Sequence, residues 1–123
     1  MIKLGTMSLN VRNTTATGFA EIVSDLSLDV IELHSSAFES TDLDYLRDLK
    51  MDLMRKGLPI GYIGISNNFG RPVEEHPDQV ALIKKWIDEA SFMGCPIVRV
   101  FAAYLPEDCT EEEEIWPPML SGF

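Results

Sequence analysis

The chain has 123 residues, 46% hydrophobic and 24% charged, a composition that suits one globular domain. Its formal net charge of −10 repels nucleic-acid phosphates and anionic membrane surfaces, whose binding depends on Lys and Arg contacts. No nucleic-acid or membrane partner is therefore expected, although a local cationic pocket could still hold a phosphorylated small molecule. No apolar run resembles a signal peptide or approaches the roughly 18 residues of a membrane span. Cys95 and Cys109 share no metal or redox spacing, so two free thiols in a reducing cytoplasm are expected, with Cys95 a small buried hydrophobe.

The first strand-like run covers residues 2–8. A helix is predicted within 15–26, with Phe19, Ile22, Val23 and Leu26 as its buried stripe and Thr15 or Thr17 as its cap. A second strand spans 30–33. A second helix follows over 42–56, with Leu43, Leu46, Leu49 and Leu53 on one face and Thr41 or Asp42 as cap. Arg55 and Lys56 suit its last turn, Gly57 a left-handed C-terminal position, and Pro59 stops it. A third strand covers 60–66. The third helix, 77–93, has a stripe of Val80, Ile83, Ile87 and Ala90, widened by Leu82, Trp86 and Met93. Pro77 suits its first position, and Gly94 and Pro96 end it. The fourth strand spans 97–102. Beyond it, Thr110 and Glu113 match a capping box, but Pro117 and Pro118 oppose continuation, so 110–123 reads as a frayed or truncated fourth helix. The acidic run 111–114 reads as a solvated helix start, because adjacent helical residues do not converge on a metal.

Short apolar strands alternating with amphipathic helices predict an α/β fold with parallel pairing and right-handed crossovers. About four βα units fit a partial (β/α)8 barrel, a curved sheet with helices on one face. A closed barrel needs about 250 residues. A flavodoxin-like domain would instead show a flat sheet covered on both faces. Ligands of such folds bind at the C-terminal strand ends, here 7–10, 34–36, 66–69 and 101–104.

Strand alternation sends Ile31, Leu33, Val98 and Val100 toward the helices, and Val30, Glu32, His34, Arg99 and Phe101 toward the interior. Glu32 and Arg99 then share that interior, either as a structural ion pair or network or with Arg99 holding a substrate oxygen or phosphate near the mouth. His34 reads either as a hydrogen-bonded wall residue or as a substrate contact or proton carrier. Asn67 and Asn68 suit sugar hydroxyls or, equally, turn chemistry. Phe69 could stack on a sugar face or close its loop. Ser66 completes this turn as a substrate contact. No glycine-rich phosphate loop, nucleophile elbow or HExxH motif occurs, and no catalytic acid–base pair or metal ligand emerges.

The runs Ile31-Glu32-Leu33, Ile65-Ser66-Asn67-Asn68-Phe69-Gly70, Trp86-Ile87-Asp88-Glu89-Ala90 and Met93-Gly94-Cys95-Pro96-Ile97-Val98-Arg99-Val100-Phe101 together resemble the N-terminal half of the sugar phosphate isomerase/epimerase family, the xylose isomerase-like TIM barrels. The resemblance covers roughly residues 1–116. It implies a parent enzyme that moves a proton between adjacent carbons of a sugar, sugar phosphate or hydroxy-carbonyl compound. A divalent metal (Mn, Mg, Co or Zn) would polarise the substrate oxygens. The family's metal ligands lie on later strands, so none is carried over, and the chain alone is expected to lack turnover. Only the substrate-cradling strand ends can be matched. Ala102-Ala103 stands where the family often has Gly. Open sheet edges allow a homo-oligomer. The competing readings are a non-catalytic polyol-binding or interaction module and a metal-dependent endonuclease on the same barrel.

Overall fold

The computed structural model describes residues 1–105 and 112–123. Strands and helices alternate in chain order: β1 (Gly5–Met7), α1 (Ala16–Asp25), β2 (Val30–His34), α2 (Leu43–Arg55), β3 (Ile60–Gly64), α3 (His76–Met93), β4 (Val98–Arg99) and α4 (Trp116–Gly122). Short 3-10 turns follow β1 at Ser8–Asn10 and β2 at Ser35–Ala37, and precede α3 at Val73–Glu75 and α4 at Glu112–Ile115. All strand pairs are parallel, in the order β1-β2-β3-β4. Each unit steps one strand in the same direction, so right-handed crossovers bring α1, α2 and α3 to one face. The flavodoxin-like alternative fails here, because its strand order reverses at a switch point.

The core lies between that face and the three helices. Phe19, Ala20 and Val23 from α1 meet Leu46, Leu49 and Leu53 from α2, Trp86, Ala90 and Met93 from α3, and Ile31, Leu33, Ile60, Ile63 and Ile65 from the sheet. Phe38 packs edge-on against Trp86 at 5.0 Å. Cys95 is a buried free thiol beside this cluster, and burial raises its pKa. Cys109 and the Thr110 end of the expected capping box lie outside the described residues.

Helix ends follow local chemistry. Thr15 caps α1 by accepting the Gly18 amide at 3.1 Å. Gly57 and Gly94 take left-handed backbone after α2 and α3, where a side chain would be strained. Asp42 occupies the cap position of α2 but makes no side-chain cap bond. Its own amide donates to Ser40 Oγ at 2.9 Å.

Several expectations need correction. Leu26 and Leu43 are 63% and 61% exposed, because each sits at a helix end beyond the packed turns. On α3 the buried line is Trp86, Ala90 and Met93, while Val80 and Ile87 are exposed. Nothing among the described residues covers the α3–β4 side, where Ile83, Ile87, Val98 and Val100 line a groove of about 450 Å³. Pro117 and Pro118 do not break a helix; they fall in the first turn of α4, where backbone N–H groups have no intrahelical acceptor to lose.

β1 and β4 are shorter than their apolar runs. Ahead of β1, Leu4 is tied through its carbonyl to Asp29 and Val30 and through its amide to the Asp29 carboxylate, while Ile2 stays exposed. In β3 the ladder is irregular. Ile31 pairs with Ile60 but Leu33 pairs with Ile63, so Gly61 and Tyr62 together face Glu32. This bulge puts Ile60 and Ile63, three residues apart, on the same buried side.

Candidate functional site

The polar residues collect on the uncovered sheet face and at the C-terminal strand ends. One register row runs across the sheet there: His34 pairs with Gly64, and Gly64 pairs with Arg99.

His34 ties three strand ends together. It is buried. Its backbone amide donates to Ser8 Oγ at 2.9 Å. Its Nδ1 accepts the Ser36 amide at 3.2 Å and lies 2.8 Å from Ser36 Oγ. A ring nitrogen that accepts an N–H carries no proton, so the neutral ring is protonated at Nε2 and donates to Ser66 Oγ at 2.9 Å. Burial, and secondarily the Arg99 charge, lower the His34 pKa. Ser66 is exposed. With a lone pair engaged by His34, its hydroxyl proton is free to donate toward a ligand.

Arg99 does not form the expected ion pair with Glu32. Among the described residues its side chain has no hydrogen-bond or ion-pair partner, and its Nε is buried without an acceptor. Aromatic rings hold the cation instead: its guanidinium carbon lies 4.5 Å from the Phe101 ring centroid and 5.7 Å from that of Tyr62. Tyr62 stands between the two charges. Its hydroxyl donates to Met7 Sδ at 3.2 Å, and burial, then the Glu32 carboxylate, raise its pKa against an opposing effect from Arg99.

Asn67 and Asn68 turn back into the protein. Asn67 is fully buried. Its amide donates to the Phe101 carbonyl at 2.7 Å and its carbonyl accepts the Phe101 N–H at 2.8 Å. It therefore extends the β3–β4 pairing with a side chain where the backbone ladder ends. Asn68 accepts from the Gly70 and Tyr104 amides and donates to the Tyr104 carbonyl. These bonds favour the turn reading of both residues over direct sugar contact. Phe69 is buried edge-on against His76 and Phe123, each at 5.3 Å, and so closes its loop. His76 Nε2 lies 3.1 Å from the Phe69 carbonyl and 3.0 Å from that of Arg71, which fixes the segment after β3. A groove of about 380 Å³ opens beside Ser8, Arg12, Thr14 and Ser36, next to the His34 cluster.

The structure thus gathers His34, Ser66, Arg99 and Phe101 around Gly64, and commits Asn67, Asn68 and Phe69 to the walls. Sequence reasoning missed Tyr62 and His76. For Tyr62 a signal existed: Ile60 and Ile63 cannot both be core residues in a strand of strict period two, and Gly61 beside Tyr62 marks a bulge. For His76 the sequence carried no such mark.

No protein-family model and no curated protein matches the sequence. Solved structures do match in fold. A xylose isomerase domain protein from Planctomyces limnophilus superposes with a TM-score of 0.67 at 16% identity, over 98% of this chain and 49% of that one. A D-psicose 3-epimerase from Clostridium cellulolyticum H10, crystallised with D-tagatose, gives 0.76 at 16% identity over 98% and 46%. A D-psicose 3-epimerase determined in the presence of D-fructose gives 0.77 at 13% identity over 98% and 46%. The chain spans about half the length of these structures. Its fold is that of one half of a xylose isomerase-like (β/α)8 barrel.

Proposed function

We propose that the chain forms the substrate cradle of a sugar isomerase or epimerase whose whole protein shifts a proton between adjacent carbons of a sugar or hydroxy-carbonyl compound. One observation carries this reading: the bonded set Ser8–His34–Ser66 lies at the C-terminal ends of successive strands, beside an Arg99 that has no hydrogen-bond or ion-pair partner among the described residues. That end is where barrel enzymes hold their substrates. The likeness to barrels crystallised with D-tagatose or D-fructose supports it.

Ser66 donates its free hydroxyl proton to a substrate oxygen, and His34 holds that hydroxyl in place. Arg99 offers N–H groups to an electron-rich oxygen of the substrate. The divalent metal implied by the family resemblance does not fit the residues described. His34 has both ring nitrogens engaged, and no cluster of three or more His, Cys, Asp or Glu is placed to hold an ion. In this reading the chain by itself binds substrate, and the proton shift belongs to the whole protein.

Titrating the chain with D-fructose and D-tagatose, followed by backbone and histidine-ring NMR, tests this. Shifts at His34 and Ser66, weakened by Ser66→Ala, support the cradle. Saturating sugar, neutral or acidic, with no change at the strand ends refutes it, and epimerisation by this chain alone overturns the binding-only assignment.

A further inference from the structure

We propose that the inward face over Gly64 is a carboxylate site, and that the sugar taken by the cradle is acidic: a polyhydroxylated carboxylate bound acid-end inward. This deepens the cradle reading and rests on it.

Gly64 makes the site possible. A β-carbon there would lie 2.9 Å from Met7 Cε, 3.3 Å from Arg99 Nε and 3.4 Å from Arg99 Nη2. The missing side chain lets the guanidinium lean across β3, and the edge bordering the space over Gly64 is the one carrying Nε and Nη2. Those two nitrogens present parallel N–H groups, the fork that matches the two oxygens of a carboxylate. Phe101 and Tyr62 hold the cation through their rings and consume none of its donors. Nε is buried with no acceptor among the described residues, a desolvated donor that an arriving oxygen would satisfy.

Met7 stands in the way, and its chemistry suits a movable plug. Its thioether is flexible and polarizable, and a single hydrogen bond from the Tyr62 hydroxyl ties it at 3.2 Å. A ligand reaching Nε must swing the Met7 methyl aside.

Charge selects the acid. Arg99 is the one cation on this row, His34 is kept neutral by burial and by Arg99, and Glu32 shares the face beside Tyr62. One planar monoanion matches a single fork. A phosphate dianion would bring two negative charges toward one cation and Glu32. The hydroxyl end of the ligand then points to the mouth, where Ser66 has a proton to donate.

The test uses the whole chain with methyl-labelled methionine and 15N-labelled arginine, titrated with D-gluconate, its neutral counterpart D-glucitol, and D-glucose 6-phosphate. D-gluconate is expected to move both the Met7 methyl and the Arg99 Nε–H resonances. Arg99→Lys should weaken D-gluconate roughly ten- to hundredfold, the loss of one charge-assisted fork, and weaken D-glucitol far less. The wild-type resonances carry the test even if that variant does not fold. D-Glucitol or D-glucose 6-phosphate binding as tightly as D-gluconate overturns the proposal, as does D-gluconate binding with the Arg99 Nε–H unmoved. If neutral ketoses shift His34 and Ser66 while D-gluconate gains nothing, the acid assignment falls and the cradle stands. If no probe moves a strand-end residue, both fall.

Discussion

Replacing Asn67 with alanine should loosen the β3–β4 pairing at Phe101, while the Phe69–Ala102 and Asn68–Tyr104 bonds still hold the chain beyond it. The Asn67 side chain is fully buried and closes a two-bond ring on Phe101, at 2.7 and 2.8 Å. Truncation removes both bonds and leaves the Phe101 N–H and carbonyl to find water. Phe101 is half-buried, so some rehydration occurs, and the cost is about 2–4 kcal/mol for two partly desolvated groups. Urea unfolding followed by circular dichroism measures the loss, and hydrogen exchange at the Phe101 amide localises it. Asn67→Asp gives a sharper signature. The acid can donate to the Phe101 carbonyl only when protonated, so its folded pKa rises above its unfolded value near ~3.9. Below the unfolded pKa both states are protonated and the variant keeps most of its stability. As pH rises through that value the unfolded state ionises first, and stability falls. A loss below about 1 kcal/mol for Asn67→Ala, with Phe101 still protected from exchange, would refute the clamp and return Asn67 to the pool of ligand contacts.

Three further outcomes follow from the same geometry. His34 has a lowered folded pKa, so its contribution to stability is complete above the unfolded value of about 6.5 and is lost as pH falls from there toward the folded value; His34→Ala should flatten that slope in pH-dependent urea titrations, and ring NMR should find the neutral proton on Nε2. Gly64→Ala places a methyl against the Met7 tip and the Arg99 guanidinium; both ends are flexible, so the stability cost stays near ~1 kcal/mol while the Arg99 Nε–H resonance shifts, and an unmoved resonance would contradict the packing. Leu46→Ala empties a fully buried position between α2 and the sheet, with an expected loss of about 2–5 kcal/mol by denaturant unfolding.

What the sequence made legible was periodic. The leucines of α2 and the glycine stops after α2 and α3 reported their elements because the physics is local: one buried stripe, one left-handed residue. Parity along β2 and β4 likewise placed His34 and Arg99 on the inward side, since side chains alternate on any regular strand. The misreadings lie where something non-local intervenes. The β3 bulge shifts parity and sends Tyr62 between Glu32 and Arg99, which removes the expected ion pair. The turn asparagines bond partners 34 and 36 residues away, at Phe101 and Tyr104, so their commitment to the wall depends on where β4 exits. The buried line of α3 was rotated because Val80 and Ile87 stay exposed and Ile83 is only partly buried against the core, on the side where the α3–β4 groove opens. Pro117 and Pro118 depended on where α4 begins, not on proline's general effect on helices.

The most direct test of the cradle is a residue-resolved map of ligand binding. The chain would be titrated with D-tagatose and D-fructose while backbone amides, the His34 ring and the methionine methyls are followed by NMR. The account predicts saturable shifts confined to the C-terminal strand ends, at Ser8, His34, Ser66 and Arg99. Shifts confined to the α3–β4 groove around Ile83, Ile87 and Val100, or none at saturating sugar, would contradict it.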